Sequence, residues 1–237
     1  MGTVVHQPSG LKSKRIIICC DGTWENAVGE DSEKPQTNVT RLSRALKQVS
    51  SDGTSQIVYY HPGLGTGGKI DALLGGVFGM GLGADIREAY NFISVNYVDD
   101  DDIVLVGFSR GAFTARSIAD LISSIGLLNV EGMTYFYSVF EDYEKIGDEH
   151  RSNHDFLDDS AKYLTAYNGE KGKAKILWEN KRKDEYRNWL RDRSWTRDTH
   201  NDGITPIRIK VVAVWDTVGS LGIPATPIIG IHGSAAQ

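Results

Sequence analysis

Residues 104–113 read Val-Leu-Val-Gly-Phe-Ser-Arg-Gly-Ala-Phe, an apolar run that passes through Gly107-Phe108-Ser109-Arg110-Gly111 into a helix-like segment. A strand that must turn into a helix within so few residues leaves no room for side chains on either flank. Glycine at 107 and 111 meets that demand, since a Cβ at either position would crowd the strand–helix crossing. The turn would expose the Ser109 hydroxyl at the C-terminal edge of a sheet. It would also set the serine at a helix N-terminus, where negative charge is stabilised. A serine in a tight turn can be purely structural, but an apolar strand before it and a helix after it point to a nucleophile.

The rest of the chain supplies an α/β framework for this turn. Arg15 to Cys20 is a short apolar run suited to a buried parallel strand, and it ends at Asp21-Gly22-Thr23-Trp24, a turn signal. Asn38 is positioned to cap a helix carrying Val39, Leu42, Ala45, Leu46 and Val49. Gln56 to Tyr60 reads as a strand, Pro62 to Gly83 as a glycine-rich loop, Asp85 to Tyr97 as a helix, and Asp99 to Asp102 as an acidic turn. Ile103 to Phe108 and Ala112 to Ile125 are the strand and helix around Ser109. Residues 131–200 are charged and aromatic, and read as short helices inserted over the active-site edge. Ile207 to Trp215 is again a strand, ending at Asp216-Thr217-Val218-Gly219. Alternating strands and helices imply a mostly parallel sheet with helices on both faces. The expected organisation is a disordered lead-in over 1–14, one domain over 15–224 with its insertion, and an irregular tail over 225–237.

Composition narrows the partners. With 237 residues, a net charge of -5 and no extended basic stripe, the chain does not suit nucleic acid. No apolar run reaches the roughly 20 residues that span a bilayer, and the first residues are polar, so a cytoplasmic protein is expected. Cys19 and Cys20 are adjacent and are the only cysteines, which suits small core residues rather than a disulfide framework or a metal site. No cofactor is expected.

Several residues can complete the chemistry. Asp216 ends a strand, so its carboxylate would emerge on the same edge as Ser109 and orient a histidine; the alternative is a turn former. His232 is the one histidine after Asp216. It lies in a weakly patterned stretch, which favours a bystander over the base. The Arg110 amide and one from Gly22 or Thr23 are candidate oxyanion donors, with Asp21 shaping their loop. His150 and His154 have helical spacing but no accompanying zinc motif, and read as solvated. Gly63 to Gly68 matches G-x-G-x-x-G, and Gly63 to Lys69 matches the front of a phosphate loop. However, Ile70 replaces the Ser or Thr that would ligate magnesium, and more glycine follows instead of a helix.

Five segments together resemble one family. They are Ile-Cys-Cys-Asp21-Gly-Thr-Trp-Glu-Asn, Thr37-Asn-Val-Thr-Arg-Leu, Tyr59-Tyr-His-Pro-Gly-Leu-Gly-Thr-Gly, Gly107-Phe-Ser-Arg-Gly-Ala-Phe-Thr-Ala-Arg and Val214-Trp-Asp-Thr-Val-Gly-Ser-Leu-Gly-Ile-Pro224. Over residues 15–224 the chain resembles the α/β-hydrolase domain of type VI secretion phospholipase effectors and their uncharacterised relatives, common in fungi. The resemblance implies a Ser-Asp-His triad that hydrolyses ester bonds, phospholipid in the secreted bacterial members, with Ser109 as nucleophile and Asp216 as acid. The family's histidine belongs to a further strand–helix region, and this sequence departs from the pattern after Pro224. It therefore reads as a C-terminally truncated hydrolase-like domain, active on an ester or lipid, with peripheral contact to a membrane. The alternative is an inactive hydrolase-like domain that binds or regulates.

Overall fold

In the computed structural model the described residues are 13–22, 36–63, 78–151, 155–157 and 160–215. Thr23, Asp216 and His232 lie outside them, as do the lead-in over 1–12, the Leu64-to-Lys69 part of the candidate phosphate loop, His154 and the tail.

Four strands build one sheet: β1 (Lys14–Cys20), β2 (Ser55–His61), β3 (Asp102–Phe108) and β6 (Ile209–Trp215). Their order is β2-β1-β3-β6 and every pairing is parallel. The register sets Cys20 opposite both His61 and Gly107, and Phe108 opposite Trp215, so all four strands end on the edge that carries Ser109. Side chains alternate between faces, as the pleat requires. Ile16, Ile18, Cys20, Ile103 and Leu105 enter the larger core, while Ile17, Cys19 and Val106 enter a smaller one with Val39.

Helices cover both faces, as expected. On the smaller side lies α1 (Asn38–Ala45), capped by Thr37 rather than Asn38: the Thr37 hydroxyl accepts the Thr40 N–H at 2.9 Å, and Asn38 is the first helical residue. On the larger side lie α2 (Phe78–Asn96) and α3 (Arg110–Ile125). The helix α2 begins inside the stretch whose glycines suggest a loop. Gly83 on this helix lies beside Arg87 and the Phe140 ring, where an added Cβ would stand 3.3 and 3.7 Å from them.

Residues 127–197 form a layer behind α2 and α3. It contains the strand pair β4 (Leu127–Leu128) and β5 (Thr196–Arg197), with helices α4 (Val130–Met133), α5 (Phe136–Lys145) and α6 (Lys173–Asp192) between them. The last is one continuous helix of 20 residues, not a chain of short ones. Trp178, Arg182, Tyr186 and Trp189 form its buried stripe. Tyr186 and Lys183 bind Asp142 and Asp120 at 2.8 and 3.0 Å, and Tyr143 also donates to Asp120. The aromatics Phe136, Phe140, Tyr143, Trp178, Tyr186, Trp189 and Trp195 are buried, so they serve this packing.

Candidate active site

The turn at Ser109 has φ 53° and ψ -120°, a conformation that costs a non-glycine residue on the order of 1–3 kcal/mol and persists only where surroundings enforce it. The enforcement is visible on every side. The Ser109 amide donates to the Trp215 carbonyl at 3.0 Å, and its carbonyl accepts the amides of Ala112 and Phe113 at 3.0 and 3.3 Å. A Cβ on Gly107 would stand 2.3 Å from the Gly111 carbonyl oxygen, and one on Gly111 would stand 2.1 Å from that of Cys20. The steric reason read from the two glycines therefore holds in atomic detail.

The loop after β1 is brought to the serine in the same way. A Cβ on Gly22 would lie 2.9 Å from the Phe108 ring and 3.3 Å from Ser109 Cβ, and one on Gly63 would collide with the Gly22 carbonyl. Asp21 holds this approach. Its buried carboxylate accepts hydroxyls from Thr37 and Thr40, each at 2.7 Å, and from Tyr60 at 2.9 Å. Its other oxygen accepts the Gly22 N–H at 2.9 Å. Four donors, three on one oxygen and one on the other, satisfy this buried carboxyl, as burial of a polar group requires. Gly22 thus sits beside Ser109 with its own N–H turned to Asp21.

Arg110 opens α3, whose first-turn amides face the end of β3. The Trp215 carbonyl accepts the Ser109 amide, so the end of β6 lies against the turn at Ser109. The structure adds residues that sequence reasoning missed. His61, the last residue of β2, is buried, with Nε2 at 3.5 Å from Asp85 Oδ1 and 3.8 Å from Glu88 Oε2. Burial pushes the Asp85 carboxyl above its ordinary range, while His61 and Arg110 pull it back and Glu88 adds to the rise. His61 is two strands from β3, about 10 Å at the usual strand spacing, with its ring turned to α2. It ties β2 to α2 and is not placed to take a proton from Ser109. Its parity with Ile57 and Tyr59 on β2 was the available signal for the face it joins.

The thiols of Cys19 and Cys20 are both buried in the core, and burial raises that of Cys19 to about 12. His150 is exposed. No group of three metal-ligating side chains occurs among the described residues, and no described helix is long and apolar enough to cross a membrane.

A strained serine between a parallel strand and a helix, at the edge where the four strands end, defines a hydrolase-type α/β domain. The chain matches the family described as the type VI secretion system phospholipase effector Tle1-like catalytic domain over residues 14–234, and it belongs to that family. It is 34% identical over 156 residues to an uncharacterized protein of Saccharomyces cerevisiae, YEL023C, covering 59% of this chain and 22% of the yeast protein. The chain thus spans under a quarter of that relative's length. No solved structure matches.

Proposed function

We propose that this chain is a serine hydrolase domain that cleaves carboxylic ester bonds, with phospholipid as the substrate class. The observation that carries the proposal is the enforced turn at Ser109, with φ 53° in a non-glycine residue at the mouth of the parallel sheet. Backbone strain of that kind is retained where positioning a side chain matters more than local stability. Membership of a phospholipase catalytic-domain family supports the same reading.

In the proposed reaction the Ser109 oxygen attacks the acyl carbonyl carbon while its proton passes to a histidine, and Asp216 orients that histidine and stabilises the imidazolium. The oxyanion that forms is held by the Arg110 amide, with the positive end of α3 behind it. The second donor is assigned to Thr23, because the Gly22 N–H is engaged by Asp21; Gly22 contributes the space beside the serine. The imidazolium then protonates the departing alcohol, and water releases the acid by the reverse sequence. His232 is the candidate base within this sequence.

The test is turnover of a short-chain p-nitrophenyl ester and of phosphatidylcholine by the wild type and by Ser109→Ala. A fall of about 10⁴-fold or more is expected for the variant. Equal turnover by the two proteins would refute the assignment. His232→Ala, measured alongside, should match that fall if His232 is the base.

A further inference from the structure

The helix α6 has two faces of different character. Trp178, Arg182, Tyr186 and Trp189 are buried. Its N-terminal half presents the opposite stripe, Lys173, Ile176, Leu177, Asn180 and Lys181, to solvent. Ile176 is 48% and Leu177 69% exposed, and Tyr163, in the short 3-10 turn (Ser160–Tyr163) leading toward the helix, is 59% exposed. The two aliphatic side chains are adjacent, so they form one apolar ridge and not two scattered residues.

Lysines flank the ridge. Lys171 and Lys173 have no acidic partner among the described residues, and no acidic residue occupies the first turn of α6. Cations at a helix N-terminus oppose the helix dipole, so folding of the helix gives no reason for them there. Of the nearby carboxylates, Glu149 meets Lys175, Asp184 meets Arg187, Glu170 accepts the Asn168 amide, and Glu185 accepts the Thr165 amide and hydroxyl and lies 3.8 Å from Lys181. In a chain of net charge -5, Lys171 and Lys173 thus place positive charge without an acidic partner among the described residues at the N-terminal end of the exposed apolar ridge.

The ridge also lies toward the nucleophile's end of the molecule. Asp120 of α3 meets Lys183, and Ser123 meets Arg187, so the two helices run side by side in the same direction. At 1.5 Å per residue, Ile176 is about 10 Å further than Lys183 toward the end of α3 where Ser109 sits.

We propose that the Lys171–Lys181 face of α6 docks on the surface of anionic phospholipid, with Ile176 and Leu177 entering the acyl boundary and the lysines contacting headgroups. The proposal rests on the lipid-hydrolase reading and adds the surface by which the enzyme reaches a substrate held in a bilayer. An apolar ridge rimmed by cations is the combination that interfacial helices use, because apolar burial and attraction to anionic headgroups reinforce each other.

The test is co-sedimentation of the full chain with vesicles of phosphatidylcholine alone and of phosphatidylcholine mixed with phosphatidylserine, at low and high salt. The wild type should bind the mixed vesicles and be released by salt. Ile176→Asp/Leu177→Asp and, separately, Lys171→Glu/Lys173→Glu should each weaken that binding by about ten-fold or more. Both variants should turn over the soluble short-chain ester as the wild type does, since the substituted side chains are exposed and belong to the 171–177 segment, not to the turn that holds Ser109. Ser109→Ala should bind vesicles normally, which separates failure of docking from failure of the hydrolase assignment. Wild-type binding that neither double variant weakens would overturn the proposal. So would absence of vesicle binding, including the case where the face captures another protein instead.

Discussion

The edge of the sheet that carries Ser109 and the helical layer behind α3 are held by different physics. At the edge the contacts are backbone on backbone: Gly107 against Gly111, Gly111 against Cys20, and Gly63 against Gly22, with Asp21 pinning the loop through four hydrogen bonds. In the helical layer the contacts are large side chains, with Trp189 ringed by Tyr186 at 5.4 Å and Trp195 at 5.6 Å. The first kind of contact tolerates no added atom, and the second tolerates no removed one. Geometry at Ser109 depends on the first and global stability on both, so substitutions in the two regions should dissociate activity from folding.

The largest effect is expected for Gly111→Ala. The new Cβ would stand 2.1 Å from a backbone carbonyl, with no flexible side chain to yield, so β1 or α3 must shift. A loss of about 4–5 kcal/mol or more is expected, with ester turnover lost even in whatever fraction stays folded. Trp189→Ala comes next, with about 3–5 kcal/mol lost to a cavity. Its folded fraction should keep the wild-type rate, because the layer it weakens lies behind α3 and not at the turn. Urea unfolding, paired with turnover corrected for the folded fraction, reads both. The comparison breaks if Trp189→Ala loses specific activity in proportion to Gly111→Ala.

The same difference decides how much was legible in the sequence. The elbow, β1, β3 and β6 could be read because steric demands at a strand–helix crossing, and apolar runs in a parallel strand, are local and leave short signatures. The proposed acid, Asp216, could be followed only as far as the strand that leads to it. Asp21 was visible as a loop former, but its partners Thr37, Thr40 and Tyr60 come from 16 to 39 residues away, and no local pattern links them. That distant contact accompanies the choice of cap: Thr37 caps α1 while its hydroxyl donates to Asp21, and Asn38 has the same intrinsic aptitude without the partner. The early start of α2 was hidden because glycine lowers helix propensity, and tertiary context overrides that weak preference. The length of α6 was hidden by its charged surface, although Trp178, Arg182, Tyr186 and Trp189 already carry helical spacing. His61 belongs to the edge by register and to α2 by contact, and only the assembled sheet brings those together.

The smallest effect probes that junction, where the two kinds of packing meet. Burial raises the Asp85 carboxyl, with His61 and Arg110 opposing the rise and Glu88 adding to it. A carboxyl whose folded value lies above its unfolded one favours the fold while protonated. That contribution is present below about pH 4, the unfolded value, and is lost as pH rises through the folded value. Asp85→Asn removes the titration. Relative to wild type it should gain stability from acid toward neutral pH, by an amount on the order of 1 kcal/mol, because the asparagine avoids the cost of a buried charge. The loss of attraction to His61 and Arg110 acts against this gain and keeps it small. Urea midpoints of the two proteins followed from about pH 4 to pH 8 give the sign directly. Parallel curves would mean that Asp85 does not carry this coupling, and diverging curves with the wild type ahead at neutral pH would mean that His61 and Arg110 outweigh burial. In the second case the junction would be held by its ion contacts, and the contrast between a sterically fixed edge and an apolar layer would need a third, electrostatic region between them.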